Sequence, residues 1–347
     1  MKIALVAPPW FTVPPRKYGG IEYVVGILAD GLVDKGHSVT VFTVESSQTK
    51  ARKWWIFEDE RIGTLKKEPT PFLTEAIIHA LGSYMEIESE GDYDVINDHT
   101  WKEGLLSAYF LKMNVIHTIH SPMDAENRKF YSLFVGSDRV KFIAVSEWQR
   151  EALQGLNYLG TIYNAIPVED YPYCENKEDF FLYIGKFNED KAPHIACKVA
   201  SELGIKLILA GKIHTIHEKH YFDKKIKPYL SDKIIYEGEV SDERKKELLC
   251  KAKALLFPIQ WEEPFGLPII EAMACGTPVV SFSRGAAPEI ILDGKTGFLA
   301  KNYKEFVDKV KRVEDIDPRD CRRRVEEKFS KEVMVSNYER AYKRSME

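Results

Sequence analysis

The feature that most restricts the possible folds of this chain is an alternation of short apolar runs with segments whose apolar residues recur at helical spacing. Residues 3–7 form an apolar run, apolar side chains recur at helical spacing over 21–35, and a second apolar run covers 38–44. Gly36 follows the helical segment, where a helix stop is expected. A strand, a helix and a strand in this order predict a doubly wound parallel sheet, with ligands at the carboxyl ends of its strands.

The alternation stops and then restarts, which predicts two domains. A polar stretch with Pro167 and Pro172 interrupts it, and strands are then predicted at 180–184, 206–210, 234–236 and 254–258, with helices at 192–203 and 242–253. A chain of 347 residues also exceeds what one hydrophobic core usually serves. We therefore expect an α/β protein with Rossmann-like domains at 1–166 and 167–329 that face each other across a cleft.

Composition excludes several classes of partner. The formal net charge of -4 gives no overall attraction to nucleic acid. No apolar run approaches the roughly 20 residues that span a bilayer, so membrane contact is expected to be at most peripheral. The five cysteines are odd in number, widely spaced and without a CxxC pair, which indicates neither a disulfide framework nor a zinc site. A cytoplasmic protein is the expectation.

The stretch 262–280 is the strongest candidate for a site. It is predicted to form a loop, a short helix, a glycine stop and a buried strand, with Glu263 before the helix and Glu271 inside it. The free N–H groups of the first turn near Leu267 attract an anion, and two carboxylates suit hydroxyl groups. A polyol that carries phosphate fits both requirements. The alternative is that Glu263 only favours the positive helix start and that Glu271 is solvated.

Two lysines follow the first strand of the second half. Lys186 and Lys191 at the edge where the strand ends could neutralise a diphosphate without a metal ion, although solvated surface lysines are the alternative. Gly19 and Gly20 precede a helix at the corresponding edge of the first half, where backbone without side chains can approach a ligand. No GxGxxG fingerprint occurs, which argues against a dinucleotide oxidoreductase.

Histidines and tryptophans give weaker signals. His99 and His120 end two predicted strands of one sheet and should lie at its ligand edge, although either could be a hydrogen-bonded structural residue. His214, His217 and His220 have metal-like spacing but suit a solvated polar helix, and we expect no metal site. Trp54 and Trp55 lie in a cationic stretch that could meet an acceptor or a lipid surface, or could pack inward.

Together these motifs resemble the retaining glycosyltransferases of family 4, which have the two-domain GT-B fold. The matching segments, which span nearly the whole chain, are Gly19-Gly20-Ile21-Glu22, His120, Tyr163-Asn164-Ala165-Ile166-Pro167, Gly185-Lys186 with Lys191, and the E-x7-E run from Glu263 to Glu271. One position departs, because the family usually has arginine where Lys186 stands. A lysine lacks the bidentate fork of arginine, which bears on how tightly a diphosphate is held.

The resemblance implies transfer of a hexose, with retained configuration, from a donor of the UDP-glucose or GDP-mannose type to a hydroxyl of an unidentified small-molecule, glycan or lipid-linked acceptor. It implies no cofactor and no metal. The implied catalytic residues are His120, Lys186, Lys191 and Glu263, and the implied donor-binding residues are Gly19, Gly20, Asn164, Phe265, Gly266, Leu267 and Glu271. It also implies that a last helix at 330–347 packs back on the first domain, where the acceptor binds.

Within this resemblance, each carboxylate has its own expected partner. Glu263 is expected to bind the donor sugar and Glu271 the ribose, because carboxylates accept hydrogen bonds from hydroxyl groups. The departing phosphate oxygen accepts the acceptor proton in the mechanism proposed for such enzymes. Two alternatives stay open: a sugar-nucleotide epimerase on the same fold, which would convert the donor without an acceptor, and a non-catalytic sugar-nucleotide-binding subunit, which would bind donor without turnover.

Overall fold

The computed structural model describes residues 1–16, 19–63, 69–213 and 215–347. The chain divides into two compact units, Met1–Ile166 with Lys331–Glu347 and Pro167–Ser330. Each unit is built on one parallel sheet. Parallel sheets of this kind are covered by helices on both faces, which explains why their strands are continuous apolar runs in the sequence.

The described residues of the first unit form a seven-stranded parallel sheet with the order β3-β2-β1-β4-β5-β6-β7. Its strands are β1 (Lys2–Val6), β2 (Ser38–Thr43), β3 (Arg52–Trp55), β4 (Val95–Asp98), β5 (Val115–Ile119), β6 (Val140–Ala144) and β7 (Tyr158–Thr161). The chain builds β2 and β3 on one side of β1 and then crosses to the other side with β4. The carboxyl ends of β1 and β4 therefore form a topological switch point, where ligands bind in such sheets.

Five helices connect these strands within the described residues: α1 (Gly20–Asp34), α2 (Pro69–Glu90), α3 (Lys102–Phe110), α4 (Ala125–Tyr131) and α5 (Glu147–Ala152). Side chains at their starts fix where two of them begin. The Asp124 side chain accepts a hydrogen bond from the Asn127 amide at α4, and the Ser146 side chain accepts one from the Gln149 amide at α5. Such caps satisfy amides that have no partner inside the helix.

The described residues of the second unit form a six-stranded parallel sheet with the order β10-β9-β8-β11-β12-β13. The strands are β8 (Phe181–Ile184), β9 (Leu207–Ala210), β10 (Ile234–Gly238), β11 (Leu255–Phe257), β12 (Val279–Phe282) and β13 (Gly297–Ala300). The helices are α6 (Pro193–Leu203), α7 (Ile216–Tyr221), α8 (Asp242–Lys251), α9 (Leu267–Ala274), α10 (Ala287–Ile290), α11 (Tyr303–Val310) and α12 (Pro318–Lys328). The prediction of two parallel Rossmann-like sheets is confirmed.

The last helix, α13 (Lys331–Met346), packs against α1 of the first unit. A Cβ at Gly31 of α1 would lie 2.5 Å from Cγ2 of Val335, so only glycine allows the two helices this close. Lys35 and Glu339 form an ion pair of 2.8 Å beside this contact. On its buried face, α13 carries Tyr338 and Tyr342, which are both fully buried.

The expectation that the cysteines form no disulfide is wrong, because the structure contains a disulfide between Cys174 and Cys250. Cys174 follows the end of the first unit and Cys250 lies in α8, and the fold brings their Cα atoms to 5.4 Å across a sequence separation of 76 residues. Neither the number nor the spacing of the cysteines indicates a pairing that depends on tertiary structure. Cys197, Cys275 and Cys321 are free and buried.

The aromatic stretch at Trp54 and Trp55 belongs to the edge strand β3. The Trp54 ring packs on Phe42 at 5.5 Å, whereas Trp55 is 42% exposed, so only the first of the two tryptophans packs inward. No helix in the described part of the chain is long and apolar enough to cross a membrane. The described residues also contain no metal-ligating cluster of histidine, cysteine, aspartate or glutamate, and His214 lies outside them.

Candidate active site

The loop that carries Glu263 is held in place by the backbone of a neighbouring turn. The Ala286 amide donates to the Glu263 carbonyl at 2.9 Å, and the Gly285 amide donates to the Glu262 side chain at 2.6 Å. A Cβ at Gly285 would lie 2.3 Å from the Glu263 carbonyl oxygen, and Gly285 has a φ of 52°. Glycine is therefore required at this position, and it keeps the backbone of Glu263 fixed.

The Glu263 carboxylate is buried and paired. Its Oε2 forms an ion pair with the Lys191 ammonium and accepts a hydrogen bond of 2.8 Å from the Trp261 indole Nε1. The Lys191 Nζ also lies 4.6 Å from the centre of the Trp261 ring. Cation and carboxylate thus neutralise each other in a place where an unpaired charge would be costly. The structure brings together these two predicted residues.

The loop between β8 and α6 presents both predicted lysines. Asn188 accepts a hydrogen bond from the Lys191 amide at 3.0 Å, and the Gln260 amide donates to the Asp190 carbonyl at 2.7 Å, which joins this loop to the Glu263 loop. The Tyr183 hydroxyl donates to the Lys186 carbonyl at 2.6 Å, so the backbone at the half-buried Lys186 is also held. Both ammonium groups extend from a backbone that hydrogen bonds keep in position.

Helix α9 begins directly after the Glu263 loop. Gly266 precedes it in the left-handed region with a φ of 96°, and Pro268 follows in its first turn. The first amides of a helix have no partner inside it, so Gly266 and Leu267 offer N–H groups to an anion. Phe265 is 2% exposed and its ring packs on Phe329 at 5.8 Å. Its side chain therefore supports the loop, and any contact with a donor would come from its backbone.

Glu271 lies inside α9 and is buried, so the alternative of a solvated helix residue is wrong. Its Oε1 accepts hydrogen bonds of 2.9 Å from the Tyr171 hydroxyl and of 2.9 Å from the Lys245 ammonium. Lys245 also contacts Asp242 at 3.2 Å. Burial works to lower the pKa of Lys245, but the Glu271 and Asp242 carboxylates raise it above its ordinary value. Lys245 therefore keeps its charge beside Glu271.

In the first unit, His120 lies at the carboxyl edge of the sheet and contacts His99. Their Nε2 and Nδ1 atoms are 3.0 Å apart, and their rings stack with centres 5.2 Å apart. Burial, and after it the nearby His117 ring, lower the pKa of His120 to about 3. His120 is therefore a neutral imidazole at physiological pH, which suits hydrogen bonding rather than electrostatic attraction.

Three further predicted residues lie in the first unit. Gly19 has a φ of 154°, and a Cβ there would lie 2.9 Å from Pro15. Gly20 begins α1 directly after it. Asn164 is 7% exposed, and its Oδ1 is buried without a hydrogen-bond partner among the described residues. A buried amide oxygen in this state is ready to accept a hydrogen bond from a ligand.

Several residues around these groups were not predicted from the sequence. Trp261 lies two residues before Glu263, at the start of the E-x7-E run. An aromatic N–H donor so close to a motif glutamate is a signal that could have indicated it. Lys245 and Tyr171 carry no motif, and only the fold brings them to Glu271. Both glutamates are therefore held by a lysine and by an aromatic side chain that donates a hydrogen bond.

The chain has two Rossmann-like units. In the second unit, lysines pair with buried glutamates next to a helix that a glycine precedes. These are features of GT-B glycosyltransferases that use nucleotide sugars. Two family models match the chain: Glycosyltransferase Family 4 over residues 18–170 and Glycosyl transferases group 1 over residues 174–331. An uncharacterized glycosyltransferase of Methanocaldococcus jannaschii, MJ1607, is 27% identical over 84% of this chain and 83% of its own length.

Solved structures agree with the fold. A sucrose-phosphate synthase from Thermosynechococcus elongatus has a TM-score of 0.80 at 19% identity and covers 99% of this chain and 98% of its own. HepE of Anabaena, in complex with UDP and glucose, has a TM-score of 0.74 at 16% identity and covers 99% of this chain and 100% of its own. The chain belongs to the family 4 glycosyltransferases of group 1, and it transfers a sugar from a nucleotide sugar.

Proposed function

We propose that the protein is a retaining, metal-independent hexosyltransferase that uses a donor of the UDP-glucose or GDP-mannose type. The observation that carries this proposal is the buried contact between Lys191 and Glu263, which sets a cation for phosphate next to a carboxylate for sugar hydroxyls. A ligand that joins a diphosphate to a polyol presents a partner to each of these two groups. The Anabaena structure that holds UDP and glucose supports this choice of donor class.

The oxygens that the protein already uses suggest how each glutamate meets the donor. Lys191 and Trp261 both contact Oε2 of Glu263, so Oε1 is the oxygen that we assign to the sugar hydroxyls. Tyr171 and Lys245 both contact Oε1 of Glu271, so Oε2 is the oxygen that we assign to the ribose hydroxyls. Each carboxylate is anchored through one oxygen and accepts hydrogen bonds through the other.

The positive groups of the second unit are assigned to the leaving diphosphate. Lys186, Lys191 and the Gly266 and Leu267 amides stabilise the negative charge that develops as the bond between the anomeric carbon and the phosphate oxygen breaks. In the first unit, we assign the backbone of Gly19 and Gly20 to contacts with the diphosphate and His120 to a contact with the sugar. Asn164 is assigned to donor binding. The unit Met1–Ile166 with Lys331–Glu347 is assigned to the acceptor and Pro167–Ser330 to the donor.

Proton transfer is assigned to the donor itself. Oε2 of Glu263 is already engaged by the Lys191 ammonium and the Trp261 indole N–H, and Oε1 is assigned to the sugar, so we assign no proton transfer to this carboxylate. In the proposed step the acceptor oxygen bonds to the anomeric carbon on the face that the phosphate leaves, and the acceptor proton passes to the departing phosphate oxygen. Nucleoside diphosphate and glycoside are the products, and the configuration is retained.

Release of nucleoside diphosphate from UDP-glucose and GDP-mannose, with and without EDTA, tests the proposal. We expect release with one of these donors, no effect of EDTA, and losses of at least about 100-fold for Lys191→Ala and for Glu263→Ala. Lys311→Ala is the matched control, because Lys311 is 54% exposed and pairs only with Asp308 at 3.5 Å in the described residues. Full activity in both site variants would contradict the assigned roles.

Product analysis separates the two alternative functions. An epimerase would return an altered sugar still attached to the nucleotide, and a non-catalytic subunit would show donor binding by thermal shift with no release. For the proposed enzyme, proton NMR of the glycoside formed should show the same anomeric configuration as the donor, and an inverted product would refute the retaining assignment.

A further inference from the structure

A continuous line of hydrogen bonds runs from the last helix to His120. The Tyr342 hydroxyl of α13 lies 2.6 Å from Asn97 Oδ1, and the same oxygen lies 3.0 Å from His99 Nε2. His99 Nδ1 in turn lies 3.0 Å from His120 Nε2. Tyr342, Asn97 and His99 are all fully buried, so water does not compete for these contacts.

The donor and acceptor of each hydrogen bond in this line can be assigned, starting from a backbone carbonyl that contacts Asn97. Asn97 Nδ2 lies 2.9 Å from the Ile116 carbonyl oxygen, which only accepts, so the amide nitrogen must be on that side. Asn97 Oδ1 is therefore the atom on the other side. It accepts hydrogen bonds from the Tyr342 hydroxyl and from His99 Nε2, which must carry a proton.

The same reasoning assigns the proton on His120. Burial, and after it the neighbouring His120 and His117 rings, lower the pKa of His99 well below its ordinary value, so its ring is neutral. A neutral His99 with a proton on Nε2 has a bare Nδ1, which can only accept. His120 Nε2 must then donate to it, which leaves His120 Nδ1 as an unprotonated nitrogen with a lone pair.

We propose that Tyr342, Asn97 and His99 are positioning residues that hold His120 in the Nε2–H tautomer, so that its Nδ1 accepts a hydrogen bond from a hydroxyl of the donor sugar. Tyr342 of the last helix thereby acts on His120 through Asn97 and His99. The role toward the sugar rests on the proposed function, whereas the tautomer and the line of hydrogen bonds do not depend on it.

Imidazole nitrogen NMR tests the tautomer without any substrate. In protein labelled with nitrogen-15 histidine, the His120 signals are identified by their loss in His120→Gln. We expect the wild type to show a protonated Nε2 and a bare Nδ1 at pH 7. His99→Phe keeps a ring that can stack on His120 but removes the accepting nitrogen, and it should shift the His120 signals toward a mixture of tautomers. A wild-type proton on Nδ1, or an unchanged pattern in His99→Phe, would overturn the proposal.

Steady-state donor hydrolysis tests the positioning role. We expect His99→Phe to lower kcat on the order of 10- to 100-fold with the donor KM within about 2-fold, because misplacement of a reacting group acts on the transition state. His99→Gln should recover most of the loss, since glutamine offers Asn97 a donor and His120 an acceptor. Unchanged kcat in His99→Phe would refute the positioning role.

Removal of a hydroxyl from α13 needs its own control. Tyr342→Phe should lower kcat less than His99→Phe, because Asn97 Oδ1 still accepts from His99. Tyr84→Phe is the matched control, because Tyr84 is equally buried and its hydroxyl has no hydrogen-bond partner among the described residues. Equal effects of Tyr342→Phe and Tyr84→Phe on kcat would show that Tyr342 is not a positioning residue. If the wild type hydrolysed no donor, the proposed function would fail while the NMR result would still decide the tautomer.

Discussion

The contact between Lys245 and Glu271 allows a sharp test of how the Glu271 carboxylate, which we assign to the ribose, is held. Lys245→Met keeps the length of the side chain and removes its charge, and among the described residues the Tyr171 hydroxyl is then the remaining donor to that oxygen of the buried Glu271 carboxylate. At 2.9 Å and an effective dielectric constant of 20, the lost Coulomb attraction is about 6 kcal/mol before desolvation is counted.

The net loss is smaller because both charges were desolvated on folding. Breaking a buried ion pair usually costs about 3–5 kcal/mol, and the 23% exposure of the Lys245 side chain places this pair at the lower end, at about 3 kcal/mol. That corresponds to a fall in melting temperature of roughly 6–12 °C. Lys251→Met is the matched control, because Lys251 lies on the same helix and its exposed ammonium pairs with the exposed Glu247 at 3.0 Å and Glu178 at 3.2 Å, surface contacts that contribute little to stability.

The pH dependence gives the sign of the effect. The pKa of Lys245 is raised above its ordinary value of 10.5, so its contribution to wild-type stability is fully present below that pH and is constant between pH 6 and 9. In Lys245→Met the unpaired carboxylate can be relieved by protonation, so the loss should be largest at pH 8 and should shrink toward pH 5.

Scanning calorimetry at both pH values measures these differences, and Glu271→Gln in the Lys245→Met background should restore part of the stability. A loss that is independent of pH, or no recovery in the double variant, would refute the reasoning that Lys245 compensates a buried negative charge.

Three further outcomes follow from single contacts. Trp261→Phe keeps the ring over Lys191 but removes the 2.8 Å hydrogen bond to Glu263, and nucleotide release should show a fall in kcat/KM of roughly 10-fold, whereas Trp55→Phe should leave it unchanged. Gly31→Ala places a Cβ against Val335 and should lower the free energy of unfolding by about 1–3 kcal/mol in urea titrations, with recovery in Gly31→Ala/Val335→Ala. Burial raises the pKa of Glu22 from 4.5 to about 8, so the wild-type free energy of unfolding falls as pH rises across that range. Glu22→Gln lacks this titration, and its free energy of unfolding relative to wild type should therefore rise by up to about 4 kcal/mol between pH 5 and pH 8, which melting-temperature measurements at both pH values would detect.

The sequence predicted the parts of this fold that depend on local pattern. The strand-helix alternation gave β1, α1 and β2 within one or two residues, because burial on both faces of a parallel sheet leaves a continuous apolar run. It did not indicate β7 (Tyr158–Thr161) or β13 (Gly297–Ala300), which have four residues each and include a glycine, so that neither presents a longer uninterrupted apolar run. Edge strands of this kind are defined by the neighbour that they pair with.

For the site too, the sequence predicted the residues that occur in motifs but not the residues that the fold brings to them. Glu263, Glu271 and Lys191 occur in motifs, and the contact between Lys191 and Glu263 agrees with one shared site. The groups that hold them do not occur in motifs, because their sequence separations are set by the fold: 26 residues between Lys245 and Glu271, and 245 between Tyr342 and Asn97. The disulfide between Cys174 and Cys250 was missed for the same reason.

The two glutamates of the E-x7-E run share one arrangement although they lie in different local structures. Glu263 in a loop and Glu271 in a helix each give one oxygen to a lysine and to an aromatic donor, the indole of Trp261 in one case and the hydroxyl of Tyr171 in the other. A lysine alone could rotate with the carboxylate, but the aromatic donor fixes which oxygen is engaged, because Tyr171 is buried and the Trp261 ring lies against the Lys191 ammonium. The second oxygen of each carboxylate is thereby oriented before a ligand arrives. Oriented acceptors of this kind can select hydroxyl groups by position, and under the proposed function both carboxylates therefore serve recognition while the proton transfer is left to the phosphate.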